Sequence, residues 1–80
     1  MKLEIITPDK KLFTGEVDSL TVPGSKGTFT VLHNHAPIIS TLEKGIIKMD
    51  AVGKGITEIP IAGGVIEVRR NEIIVLADLN

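Results

Sequence analysis

An all-β domain, built as a small flattened β-sandwich or barrel of short, mostly antiparallel strands, is the fold class that the 80-residue sequence predicts. Three observations lead there. Val, Ile and Thr are plentiful, and β-branched side chains suit the pleated, half-buried surface of a sheet. Eight Gly and four Pro recur along the chain at the interval of short strands and turns rather than of helices. Stretches such as GIIKMDAV alternate with a period of two, putting Ile47, Met49 and Ala51 on one face and Lys48 and Asp50 on the other.

Taken in chain order, the first half predicts strands over residues 3–7, 11–13 and 16–22, with a turn at Phe13-Thr14-Gly15, then PGSKG as a loop, then a strand over residues 28–32. GIIKMDAV follows as the clearest strand. Gly53, Lys54 and Gly55 supply its turn, and ITEIPIA returns as the second arm of a hairpin, with Thr57, Ile59 and Ile61 opposite Glu58 and Pro60. Pro60 has no amide to donate, so it belongs where the ladder needs none. GGVIEVRRNEIIVLAD repeats the plan: Ile66 and Val68 oppose Glu67 and Arg69, a turn falls near Arg70 and Asn71, and a last strand covers residues 73–77. A slip of one residue would expose Ile66 and Val68, so this register is firm. The expected core is Ile47, Met49, Ile59, Ile61, Ile66, Val68, Ile73 and Val75. Five or more strands need a second layer over their apolar face, and residues 1–80 are expected to form one domain.

Nine basic and ten acidic side chains, spread along the chain for a formal charge of -1, make no field that would gather nucleic acid or anionic lipid. No cysteine means neither a disulfide framework nor a thiolate metal site. No apolar run approaches the roughly 20 residues that span a bilayer, and the start MKLEIITPDKK lacks the marks of a signal peptide. The expectation is a soluble, intracellular protein.

Four stretches invite chemistry. In LHNHAPIIST, His33 and His35 would project from one face if the backbone were extended, giving two ligands for a divalent metal, but the chain holds no third His and no Cys. A contact surface is the better expectation for these histidines, and no catalytic, metal-ligating or cofactor-binding residue is predicted. VPGSKGTF superficially suggests a phosphate loop, yet it lacks the Walker spacing and no helix follows to supply amide donors. Gly63-Gly64 fits a bulge or a close backbone approach. Lys48 before Met49 suggests the modified lysine of biotinyl or lipoyl carrier domains, also small and all-β, although that lysine sits at a hairpin tip and Lys48 is expected in mid-strand. This is the alternative function class.

The order of motifs carries a family resemblance. KLFTGEVDSLTVPGSKGTFTVLHNHAPIISTLEKGIIKM followed by IPIAGGVIEVRRNEIIVLAD resembles the N-terminal β-sandwich of the epsilon subunit of bacterial and plastid F-type ATP synthases, equivalent to mitochondrial delta. The resemblance rests on Phe13-Thr14-Gly15, VPGSKG, His35-Ala36-Pro37 before Ile38-Ile39, and Gly63-Gly64 before VIEV and VLAD. It implies a non-catalytic rotor subunit of the central stalk that fastens gamma to the membrane ring of c subunits and couples ion translocation to ATP synthesis. It implies a peripheral position on the cytoplasmic face of the bacterial inner membrane. Within the family, the segment matching His35, Ala36, Pro37 and Ile38 lies toward gamma, and that matching Ser25, Lys26, Gly27, Thr28 and Phe29 lies toward the c ring. Thr28 stands where the family often has an acidic residue, Asn34 where Gly is usual, and His33 where Pro is frequent. Typical bacterial relatives continue past the position of Asn80 into a helical hairpin, so the functions of that hairpin are not expected of these residues.

Overall fold

Alternating side chains and the turn residues between them set eight strands: β1 (Lys2–Ile6), β2 (Lys11–Gly24), β3 (Gly27–Val31), β4 (Ile38–Leu42), β5 (Gly45–Ala51), β6 (Gly55–Ile61), β7 (Gly63–Arg69) and β8 (Glu72–Asp78). The computed structural model describes residues 1–79, and among them no helix is long and apolar enough to cross a membrane. The strands form one sheet in the order β1-β8-β7-β4-β2-β5-β6, with β3 added beside β2 and β1 also pairing with β2. That last pairing folds the sheet over itself. One layer is β4-β7-β8-β1, the other β3-β2-β5-β6, and β2 belongs to both. The ladders are antiparallel except β1 with β8, so the flattened, mostly antiparallel sandwich is the architecture observed.

The long strand β2 makes this possible. Fully extended, 14 residues would reach roughly 45 Å, beyond the 28 Å longest dimension of the domain, so β2 must bend. It bends at a bulge, where Val17 pairs with Ala51 and Ser19 with Asp50, leaving Asp18 between them unpaired in the ladder. Before the bulge its partner is β1, with Phe13 opposite Ile5; after it the partners are β5, with Leu20 opposite Met49, and β3, with Val22 opposite Phe29. The expected turn at Phe13-Thr14-Gly15 is thus corrected to continuous strand. Gly15 is there for packing: a Cβ would stand 3.2 Å from Phe13 Cζ, so the ring lies over the glycine. The PGSKG loop also shrinks, to Ser25 and Lys26, because Pro23 and Gly24 are buried in β2 and Gly27 opens β3.

Ile47, Met49, Ile61, Ile66, Val68, Ile73 and Val75 are buried between the layers as expected, joined by Leu3, Ile5, Val17, Leu20, Val22, Val31 and Leu42. Ile59 is corrected to half-buried, and Thr57 on the same face of β6 is exposed. The cause is position, since β6 ends the strand order and nothing covers its outer margin; an edge also tolerates Pro60. Gly64 is the close approach that its sequence suggested, because a Cβ there would collide with the Leu76 carbonyl oxygen.

Candidate functional site

The connection over residues 32–37 and the strand β4 that follows build one wall of a surface groove of about 750 Å³; β3 and the β2–β3 turn build the other. Its lining includes Lys26, Thr28, Phe29, His35, Ile38 and Ile39. At one end, Ser25 N–H donates to the Thr41 carbonyl at 3.0 Å and Thr41 Oγ1 donates to Ser25 Oγ at 2.8 Å, tying the hairpin tip to β4. Gly27 leaves that tip at φ 131°, where a side chain would be strained. Gly24 supplies the other close fit, since a Cβ would fall 2.6 Å from Gly27 O and 2.8 Å from the Phe29 ring. Residues 25–29 therefore face a common groove with His35 and Ile38 of the second segment that the sequence offers as a contact surface, while Pro37 lines a separate pocket with Ile39 and Glu67.

At its other end the HNH stretch is not extended. Asn34 adopts φ 63° and His35 N–H donates to Leu32 O at 3.1 Å, a turn that sends the two histidines to different partners. His33 Nε2 lies 3.7 Å from Asp18 Oδ1, the carboxylate presented by the β2 bulge. His35 Nδ1 is 2.7 Å from the Ala36 carbonyl, which can only accept, so Nδ1 carries the proton there. The shared face that would have made them a ligand pair is absent, and among the described residues no three His, Cys, Asp or Glu gather around a point. What this end offers is half-buried imidazole, exposed Ala36 and Pro37, and apolar β4 surface, which is the chemistry of contact.

Ile38 and Ile39 divide their roles by strand alternation. Ile38 is half-buried and packs against the core, whereas Ile39 is 72% exposed. The outward direction continues across the layer. Thr41, Val65, Leu76 and Ile6 form one row in register, and Ile39, Glu67, Ile74 and Glu4 form the next. Ile39, Val65, Ile74 and Leu76 are all exposed, so this layer carries an apolar patch on its outer face, interrupted by Glu67 and bordered by Glu4. The sequence reading missed that outer face, although IIVLA in β8 carried the signal: five consecutive apolar residues cannot all point inward. At its rim, Lys11 Nζ sits 2.9 Å from Glu4 Oε2, and that hydrogen bond and charge hold the Glu4 carboxyl below its ordinary pKa.

Lys48 stands in the middle of β5, opposite Glu58 in the ladder, with Nζ 3.6 Å from Glu58 Oε2. The β5–β6 turn lies beyond it at residues 52–54. A carrier domain needs its lysine at a tip that can swing between sites, so the alternative reading at Lys48 is not supported.

Comparison with known proteins bears on the whole chain. The family model described as "ATP synthase, Delta/Epsilon chain, beta-sandwich domain" matches residues 1–79. The ATP synthase epsilon chain of Leptospira interrogans (strain Fiocruz L1-130) is 44% identical over 78 residues, 98% of this chain and 61% of the relative. That of Chlorobaculum tepidum is 38% identical over 76 residues, 95% of this chain and 86% of the relative. Among solved structures, a chain of the Euglena gracilis mitochondrial ATP synthase, OSCP/F1/c-ring, superposes with TM-score 0.87 at 22% identity, covering 94% of this chain and 48% of that one. The carrier families do not account for this agreement.

Proposed function

This chain belongs to the ATP synthase delta/epsilon chain family through its β-sandwich domain, and from that premise we propose that it is a non-catalytic rotor subunit of the central stalk of an F-type ATP synthase. In this reading residues 1–80 act as one domain that links the gamma subunit to the membrane c ring and couples ion translocation to ATP synthesis. It sits peripherally at the cytoplasmic face of the bacterial inner membrane, held there by the complex. His35, Ala36 and Pro37 meet gamma, with Ile38 supporting them from the core side; Ser25, Lys26, Gly27, Thr28 and Phe29 meet the c ring.

The observation that carries the reading is the family match over residues 1–79. The physical form suits the work. A coupling element between two larger bodies must transmit force without deforming, and a sheet closed on itself, with β2 threaded through both layers, leaves few soft joints. Residues 25–29, His35 and Ile38 border one groove, and the hydrogen bonds between Ser25 and Thr41 tie the tip of the first segment to β4. The apolar outer face that begins at Ile39 extends the gamma side, since a sizeable apolar patch on a small protein marks a partner surface.

Mixing the purified chain with gamma from the same source tests the proposal. A stoichiometric complex that co-elutes on gel filtration, and that recruits detergent-solubilised c ring while the chain alone does so weakly, is expected. Separate elution of the chain and gamma over a range of micromolar concentrations refutes it.

A further inference from the structure

The three non-glycine residues with positive φ among the described residues, Asn34 (63°), Arg70 (54°) and Asn71 (59°), lie in two turns that touch each other. Arg70 and Asn71 are the central pair of the β7–β8 hairpin, and left-handed conformations at both positions make it a type I′ turn. Asn34 is the apex of the connection between β3 and β4. Left-handed backbone is strained for residues other than glycine, and Asn is the least unfavourable of them because its short amide can bond locally. Here the amides bond to one another. Asn34 N–H donates to Asn71 Oδ1 at 2.6 Å, and Asn71 Nδ2 donates to Asn34 Oδ1 at 3.1 Å. Asn71 also accepts Lys2 N–H at its backbone carbonyl, at 3.0 Å, so one residue joins β1, the β7–β8 turn and the β3–β4 connection.

Glycine at either position would satisfy the backbone at lower cost, so an asparagine at each supplies something glycine does not. What it supplies is a fixed shape for residues 32–37, which lie outside the strands and, among the described residues, are held internally by the bonds from His35 N–H to Leu32 O and between His35 Nδ1 and Ala36 O. His33 near Asp18 braces the same connection from the β2 side. We propose that Asn34 and Asn71 form a positioning clasp that holds His35, Ala36 and Pro37 in the shape that meets gamma, an inference that rests on the stalk reading above. A surface segment already ordered before binding loses less freedom on association, and the competent fraction of the free chain is correspondingly larger.

Replacing Asn71 with Gly removes both amide bonds and keeps a residue that the second position of a type I′ turn favours. Asn34→Gly leaves the residue-34 N–H able to donate to Asn71 Oδ1 and removes only the other bond. Asn71→Asp keeps an oxygen for the Asn34 N–H. Hydrogen exchange of residue 34 and of His35, followed by NMR in the free chain, should accelerate about tenfold in Asn71→Gly, rise less in Asn34→Gly and return toward wild type in Asn71→Asp. The global urea midpoint should stay the same or increase in both glycine variants. Affinity for gamma, measured by calorimetry, should fall in the same order, about tenfold for Asn71→Gly, with Asn71→Asp recovering most of it. Wild-type exchange at residue 34 in Asn71→Gly would show that no clasp exists. Faster exchange with unchanged gamma affinity would show a clasp with no positioning role. Failure of the wild-type chain itself to bind gamma would end the stalk reading and the positioning role with it, whereas the exchange comparison would still report on the clasp. Should Asn71→Gly fail to fold, Asn34→Gly against wild type carries both comparisons.

Discussion

The two layers of the sandwich are alike inside and unlike outside. Between them, both contribute Ile, Leu, Val and Met to one core. On the outer face of the β3-β2-β5-β6 layer, Thr30 meets Thr21 through a 2.8 Å hydroxyl hydrogen bond, and Lys48 meets Glu58, with Ser19 and Asp50 nearby in the ladders. Ile46 and Ile56 are exposed on that face too, whereas on the outer face of the β4-β7-β8-β1 layer Ile39, Val65, Ile74 and Leu76 adjoin one another in two neighbouring rows, with Glu67 and Glu4 in the second. Folding alone does not require this difference, since each outer face needs only to tolerate water. Both outer faces carry charge, Glu4, Glu67 and Arg69 on the second and the Lys48–Glu58 pair on the first, but the second gathers four exposed aliphatic side chains in adjoining rows, and covering that patch removes apolar surface from water. The larger contiguous apolar patch therefore points to the second layer as the one suited to a partner, and that layer begins where His35-Ala36-Pro37 ends.

The largest effect should come from breaking the inside of β7 and sparing its outside. Ile66 is fully buried, and Ile66→Ala should cost roughly 2 to 4 kcal/mol in a urea titration. A domain of this size has about 3 to 5 kcal/mol of net stability, so the variant should be unfolded or nearly so at 25 °C. Val65→Ala, one residue away and pointing outward, should cost under about 1 kcal/mol. Equal losses at the two positions would mean that the alternation of β7 is misplaced and that the two faces are not distinct.

The same alternation decided what could be read from the sequence. β5, β7 and β8 were legible because each keeps one parity from end to end, and the turns carry their own chemistry, Gly53 and Gly55 at φ 76° and 74° and Asn71 at 59°. β2 was not. Gly15 after Thr14 reads as a turn and splits one long strand into two short ones, and within the second piece the unpaired Asp18 shifts the parity from Val17 to Leu20 and Val22. β4 escaped because Ile38-Ile39 and Ser40-Thr41 put like residues side by side, which hides any period of two. Of the site, residues 25–29 and 35–38 were named from the order of motifs, but the groove that 25–29 share with His35 and Ile38 depends on Gly24 pairing with Leu42, a contact across 18 residues that no local pattern announces. The Asn34–Asn71 pair spans 37 residues and was invisible for the same reason.

A matched pair of substitutions sharpens the comparison between faces. Ile39 is 72% exposed on the apolar layer, and Ile56 is 68% exposed on the polar one. Each stands opposite a carboxylate in the ladder, Glu67 for Ile39 and Asp50 for Ile56, so a lysine at either position finds similar company. Neither Ile39→Lys nor Ile56→Lys should change stability by more than about 0.5 kcal/mol. Binding to gamma should separate them: Ile39→Lys places a charge where desolvated apolar contact is needed and should weaken association by about 2 kcal/mol, near 30-fold, while Ile56→Lys leaves it unchanged. Loss of binding in Ile56→Lys alone would move the interface to the other layer.

The smallest effect is expected at the rim of the apolar face, where Lys11 holds Glu4. Its value is that it has a sign. The hydrogen bond from Lys11, and then its charge, lower the Glu4 pKa in the folded chain, so the ionised carboxylate stabilises the fold at pH values above its unfolded pKa, about 4.3 for a glutamate. As pH falls through the lowered folded value the carboxylate takes up a proton and the contribution disappears. The difference in urea midpoint between wild type and Lys11→Gln should accordingly be constant from pH 7 to about 5 and shrink toward zero on further acidification. High salt at neutral pH should shrink it as well, because the pair is open to solvent. Glu4→Gln should abolish the pH dependence of that difference, since no carboxylate then remains for Lys11 to hold. A difference that grew on acidification would show that Lys11 acts on another group, and the charged boundary of the apolar face would have to be drawn elsewhere.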